Sequence, residues 1–332
     1  MKKSNTDHLF TQAFRRLCES DFLLFMAVYL PLPVLPFEVA RQWNLPLTSG
    51  CLLYVLFVVG MLAVGPFHAY LGDAYKRKHL LTYFLVVLSL SMLGYEYLDW
   101  SWWPTVAFAQ GASFGLASTA AVTVSIDVTI SSLRTQCNKA VACFSRAGML
   151  VGALGGWLLW QEFGFFTLLH VAAAVGIVGS LVSSRIYLAF RAPIGLPLCS
   201  LDRFLLPGGW FLALNVFFLA FAPGVLLPFM PTGGIGAWVS AFLLLLALAL
   251  LLAPFTVGFV DLSHHCQRGT ANTTCQLSVE VGLTCGLATG VWLLSEGMSL
   301  ADGWKVGGCA LAVAILLRYT LTAYYFPKKR VR

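Results

Sequence analysis

Arg146 and Glu280 are the residues whose chemistry asks to be explained first. Each is a lone charge inside an apolar stretch, "CFSRAGMLVGALGG" for the first and "CQLSVEVGLTCGLATG" for the second. A charge in such surroundings is costly and normally faces a cavity or a partner of opposite sign. A buried carboxylate can also exchange a proton, which makes Glu280 a candidate coupling group. A second group of charges lies in "LGDAYKRKHLL", residues 71–81, where Asp73, Arg77 and Lys78 stand between two apolar runs. Its acid and bases suit ion pairs at a helix end. Tyr29, Gln110, Ser113 and Asn215 are further polar residues placed within apolar stretches, and they complete the candidate cavity lining.

Other chemistries are not indicated. No P-loop, GxSxG or HExxH pattern occurs, so neither nucleotide-driven work nor hydrolysis is expected. The nine cysteines show no disulfide or zinc spacing, and the run His264 to Cys266 lacks a second ligand pair. The expectation is a protein that is not an enzyme and needs no cofactor or metal.

The elements that hold these residues follow from composition. Hydrophobic residues make up 59% of the 332 and charged residues 11%, against about 25% charged in a soluble domain. Too few charges are present to cover a water-facing surface, so the bilayer is the expected solvent. Apolar segments near the spanning length of about 20 residues fall at 22–40, 50–70, 79–98, 103–129, 138–160, 164–189, 206–229, 237–260, 270–295 and 303–326. These predict ten helices and an all-α polytopic membrane protein, because a helix satisfies its own backbone in lipid. The opening residues carry no cleavable-signal pattern; residues 1–21 are expected to form a cytoplasmic surface segment.

Basic residues set the orientation. Of the 21 Lys and Arg, Arg41 and Lys305 fall on one side, Arg146 and Arg318 lie within spans, and the other 17 share the side of the N-terminus. Both termini are therefore expected in the cytoplasm, with the chain in a plasma membrane of the bacterial inner-membrane type. The net charge of +7 is read as topology, with no nucleic-acid surface.

The chain also repeats itself. A shift of 134 aligns Asp127 with Asp261, Arg134 with Arg268, Asn138 with Asn272, and Gly148, Gly152 and Gly156 with Gly282, Gly286 and Gly290. Arg146 and Glu280 are repeat mates on the same shift. A separate shift of 192 aligns "PLPVLPF" with "PGVLLPF", and so Pro31 with Pro223 and Pro36 with Pro228. These prolines are expected to kink two cavity-lining helices. The difference of 58 residues corresponds to two spans. The first half, 22–189, therefore has six helices, and the second half, 206–326, has four. A linker, 190–205, joins them and a basic tail, 327–332, follows. The two halves are parallel repeats.

With "AYLGDAYKRK" at 69–78 in the loop after the second span, the chain resembles the major facilitator superfamily of secondary transporters. Asp73, Arg77 and Lys78 match the family's loop motif in register. Ala69, Gly72, Ala74 and Lys76 depart from it. The resemblance implies alternating access by two bundles around a central site, with a small molecule as substrate and protons as a coupling ion. It also implies a latch in which Asp73 meets the start of the second half's penultimate helix and Arg77 pairs with Asp127. The Gly stripe at 148–156 is similar, imperfectly, to that of drug–proton antiporters and leans towards efflux. The family normally has twelve helices; counterparts of its eighth and ninth are missing here. That implies a seam beside the fifth helix, open to lipid, to an amphipathic substrate or to a second copy of the chain. The alternative reading is a non-transporting receptor or scaffold built on the same fold.

Overall fold

Two kinds of residue shape the backbone: prolines that break helices and glycines that let them touch. In the computed structural model, which describes residues 10–130, 132–188, 194–231, 234–264 and 267–331, α1 (Gln12–Tyr29) stops just before Pro31. A turn at 30–34 follows, and α2 (Leu35–Trp43) resumes with Pro36 in its first turn, where a missing N–H costs nothing. The second rod is α3 (Cys51–Val64) with α4 (His68–Ala74). Then come α5 (Arg77–Tyr97), α6 (Trp103–Asp127), α7 (Arg134–Phe163) and α8 (Phe165–Ser184). The second half comprises α9 (Trp210–Leu226), α10 (Gly234–Asp261), α11 (Arg268–Ser295) and a last rod of α12 (Leu300–Leu317) and α13 (Ala323–Lys329).

These are ten rods, and no strand occurs among the described residues. Eight of them are long and apolar enough to cross a membrane. The other two are the broken first rod, with four charges in α1, and α6, which is rich in Ala, Gly, Ser and Thr and lies largely buried in the first bundle. The first helix starts at Gln12, well before the expected residue 22, and carries Asp21 inside it.

Both bundles are built on the same close contact. A Cβ on Gly148, Gly152 or Gly156 of α7 would lie 2.2, 2.6 or 1.9 Å from the carbonyl oxygens of Phe22 and Met26 in α1 and of Leu30 just after it. On Gly282, Gly286 or Gly290 of α11 it would lie 2.3, 2.2 or 2.3 Å from those of Phe217, Phe221 and Val225 in α9. Small residues permit this backbone approach between helices in lipid. The partners differ by 217 − 22 = 221 − 26 = 225 − 30 = 195. The repeat register of the first and seventh helices is thus 195, not the 192 suggested by proline matching. Pro33, rather than Pro36, is the counterpart of Pro228. Pro223 sits inside α9, and Pro228 lies in a tight turn at Leu227–Phe229.

The missing helices leave their mark elsewhere than expected. In the first bundle α5 packs between α6 and α8. Among the described residues the matching space between α10 and α12 holds no helix; it is a groove of about 690 Å³, lined by Asn215, Gly258, Ala314, Arg318 and Tyr319 among others. Beside α7, α10 packs directly against it.

Candidate functional site

Asp21, Phe25 and Tyr29 follow one another at four-residue steps along α1, so they share one face of that helix. That face meets Arg146 of α7 and Glu280 of α11. Arg146 Nη1 donates to Glu280 Oε1 at 2.7 Å, and the Tyr29 hydroxyl donates to Glu280 Oε2. The Arg146 Cζ lies 5.1 Å from the centre of the Phe25 ring, a cation–π geometry worth about 0.5–2 kcal/mol. The Ser145 hydroxyl donates to the Asp21 carboxylate. All of these side chains are buried, with Arg146 at 5% and Glu280 at 0% exposure. The repeat mates Arg146 and Glu280 therefore touch, and they link the first bundle to the second.

The bundles also meet at the end away from the termini. There Cys51 Sγ reaches the Ala288 carbonyl at 3.7 Å. At the end that carries both termini a cavity of about 490 Å³ opens, lined by residues of α4, α5, α6, α7, α10 and α11 and of the linker. Asn138 lines this cavity and also a smaller one, of about 40 Å³, that reaches Ser145 and Arg146. The arrangement is a wide mouth on one side of the ion pair and packed helices on the other.

The charged loop is at this mouth. Arg77 Nη1 holds both Asp127 oxygens at 2.8 Å, within the first bundle. Lys78 donates to the Ser184 carbonyl at 3.2 Å and so ties α5 to the end of α8. Asp73 lines the same cavity as Arg268 and Gly269 at the start of α11, but its hydrogen bonds go to the linker. It accepts the backbone N–H groups of Ile194, Gly195 and Leu196 at 2.8–3.0 Å. The linker that it holds continues across the mouth, through Ser200 N–H to the Pro66 carbonyl and the Phe204 ring packed on Gly65. It reaches the second bundle where Leu206 N–H donates to Thr274 Oγ1 at 2.9 Å.

Not every polar candidate joins the centre. Gln110 accepts from the Tyr95 hydroxyl at 2.9 Å, between α5 and α6, and Ser113 is buried in α6. Asn215 donates to the Ala314 carbonyl at 2.9 Å and faces the outer groove. Conversely, Asp21 belongs to the central cluster and escaped the sequence reading, which placed it outside the first span. Its four-residue spacing to Phe25 and Tyr29 was the available signal. Of the His264–Cys266 run, His265 and Cys266 lie outside the described residues.

This is an all-helical, two-bundle architecture similar to that of major facilitator transporters, in a multi-pass integral membrane protein with eight described helices long and apolar enough to cross a membrane. A solved structure described as giving insights into substrate recognition in proton dependent oligopeptide transporters superposes with a TM-score of 0.58 at 11% identity, over 96% of this chain and 99% of that one. The chain is 26% identical to the human Protein spinster homolog 1 over 242 residues, 69% of its own length and 44% of that relative's, so it spans less than half of the relative. No protein-family model matches it.

Proposed function

We propose that the chain is a secondary active transporter that moves a small molecule by alternating access, its two bundles rocking about the Arg146–Glu280 contact. The observation that carries this reading is the contact itself: a buried ion pair between bundles, whose Arg146 lines a small cavity that shares Asn138 with the cavity of about 490 Å³ at the termini end. A buried pair is weak as a stabiliser, since desolvation offsets most of the attraction. A contact that forms in one state and parts in another puts that balance to use. Pro31, Pro33 and Pro36 in the first rod, and Pro223 and Pro228 in the seventh, are read as the weakened backbone at which these helices bend. The solved structure that superposes is described as concerning proton dependent oligopeptide transporters, and Glu280 and Asp21 are the buried carboxylates proposed to take a coupling proton here. Efflux is the proposed direction.

The experiment is uptake and release by proteoliposomes carrying the purified chain, with a small-molecule panel and an imposed pH gradient. Transport is expected to follow the gradient and to vanish in Glu280→Gln. A chain that binds panel compounds but moves none of them, with or without a gradient, would support the receptor or scaffold reading instead.

A further inference from the structure

The cavity at the termini end has a charge imbalance that the central pair does not explain. Six charged side chains line it: Asp73, Asp127, Arg77, Arg134, Arg203 and Arg268. Both acids are engaged, Asp127 with the Arg77 fork and Asp73 with three backbone N–H groups. No hydrogen bond or ion pair from the guanidinium of Arg134, Arg203 or Arg268 occurs among the described residues, and the Nε atoms of Arg134 and Arg268 are buried without a partner. Arg268 is only 8% exposed. A buried donor without an acceptor is expensive and uncommon. Two repeat-related positions carry the same defect in one cavity.

Their placement makes a structural role poor value. Arg134 and Arg268 are the first residues of α7 and α11. That end of a helix carries the positive pole of the macrodipole and favours acids, not bases. Each arginine therefore adds positive charge where the backbone already supplies some, and an anion in the cavity would answer both.

We propose that the termini-end cavity is a binding site for an anionic ligand bearing a phosphate or carboxylate group, clamped between Arg134 and Arg268 with Arg203 as a third contact. Guanidinium groups meet such groups with paired, charge-assisted hydrogen bonds. A volume of about 490 Å³ holds a small organic molecule as well as its charged group. The site stands apart from the transport reading, since it needs only this conformation and not the conformational cycle.

The test is calorimetric titration of the purified full chain with glycerol phosphate at constant ionic strength in a non-ionic detergent. A second arm compares thermal stability in nanodiscs of phosphatidylglycerol and of phosphatidylcholine. Saturable binding in the first arm, or stabilisation by the anionic lipid in the second, supports the site and tells a free solute from a headgroup. Arg134→Gln and Arg268→Gln should each weaken that response about tenfold or more. Arg134→Lys and Arg268→Lys should keep part of it, and Arg41→Gln, at the opposite end, should leave it intact. The proposal is overturned if neither arm responds, or if the response survives in the Arg134→Gln, Arg268→Gln double variant.

Discussion

Gly156→Ala and Gly155→Ala differ by one position and should differ sharply in effect. A Cβ on Gly156 would lie 1.9 Å from the Leu30 carbonyl oxygen and 2.8 Å from its carbon. An ordinary carbon–oxygen contact is about 3.3 Å, so α7 must move off α1 by roughly 1.4 Å. The obstacle is backbone and cannot rotate away, so the expected cost is that of overpacking, about 1–3 kcal/mol. A Cβ on Gly155 meets only Leu30 Cδ2, at 3.9 Å, and replacing a mid-helix glycine by alanine gains up to about 1 kcal/mol. The propensity gain is common to both substitutions, so the two variants should separate by the overpacking cost, about 1–3 kcal/mol, read as thermal unfolding in the same detergent. Leu30 follows Tyr29, so Gly156→Ala should also disturb the Tyr29 bond to Glu280. If Gly156→Ala unfolds at or above the temperature of Gly155→Ala, the contact between α1 and α7 is not as close as described and the shared design of the bundles fails.

Removing one partner of the buried pair, by Arg146→Glu or Glu280→Arg, should cost about 3–5 kcal/mol and abolish transport, while the double swap should recover part of both; equal loss in all three would separate the two residues functionally. Asp73→Asn should raise hydrogen exchange at Ile194, Gly195 and Leu196 and leave Arg77–Asp127 intact, and an unchanged exchange pattern would deny that Asp73 holds the linker. Asn215→Leu should lower stability by about 1 kcal/mol through the lost bond to Ala314 without altering substrate affinity; a changed affinity would return Asn215 to the substrate path.

The helical fold was legible because apolar length and the absence of alternation leave lipid few alternatives. The parallel repeat was legible because Asp127, Arg134 and the Gly stripe recur without a gap. The pairing of Arg146 with Glu280 was accessible for the same reason, since repeat mates near a two-fold axis can meet. The register of the first helix was not. Pro31 and Pro36 match Pro223 and Pro228 in spelling, but a slip of three residues turns a helix by only about 60° short of a full turn. Composition hides such a slip; the carbonyls that face the glycines fix it. Asp21 was hidden because a polar start to a span looks like a surface segment until the helix is seen to begin at Gln12. The target of Asp73 was hidden too, because an acid at a helix end names no partner and the linker's path is a tertiary property.

The claim that the bundles rock about the central pair is tested most directly by two distances. Thr135 and Gly269 are repeat mates that line the cavity on opposite bundles, and Glu162 and Glu296 are repeat mates near the other ends of α7 and α11. Spin labels placed on each pair, with the native cysteines replaced, report both ends by electron–electron double resonance in nanodiscs. The account predicts two populations at each end, and any condition that shortens the 135–269 distance, including Glu280→Gln or a change of pH, should lengthen the 162–296 distance. A single fixed distance at both ends under every condition would contradict it.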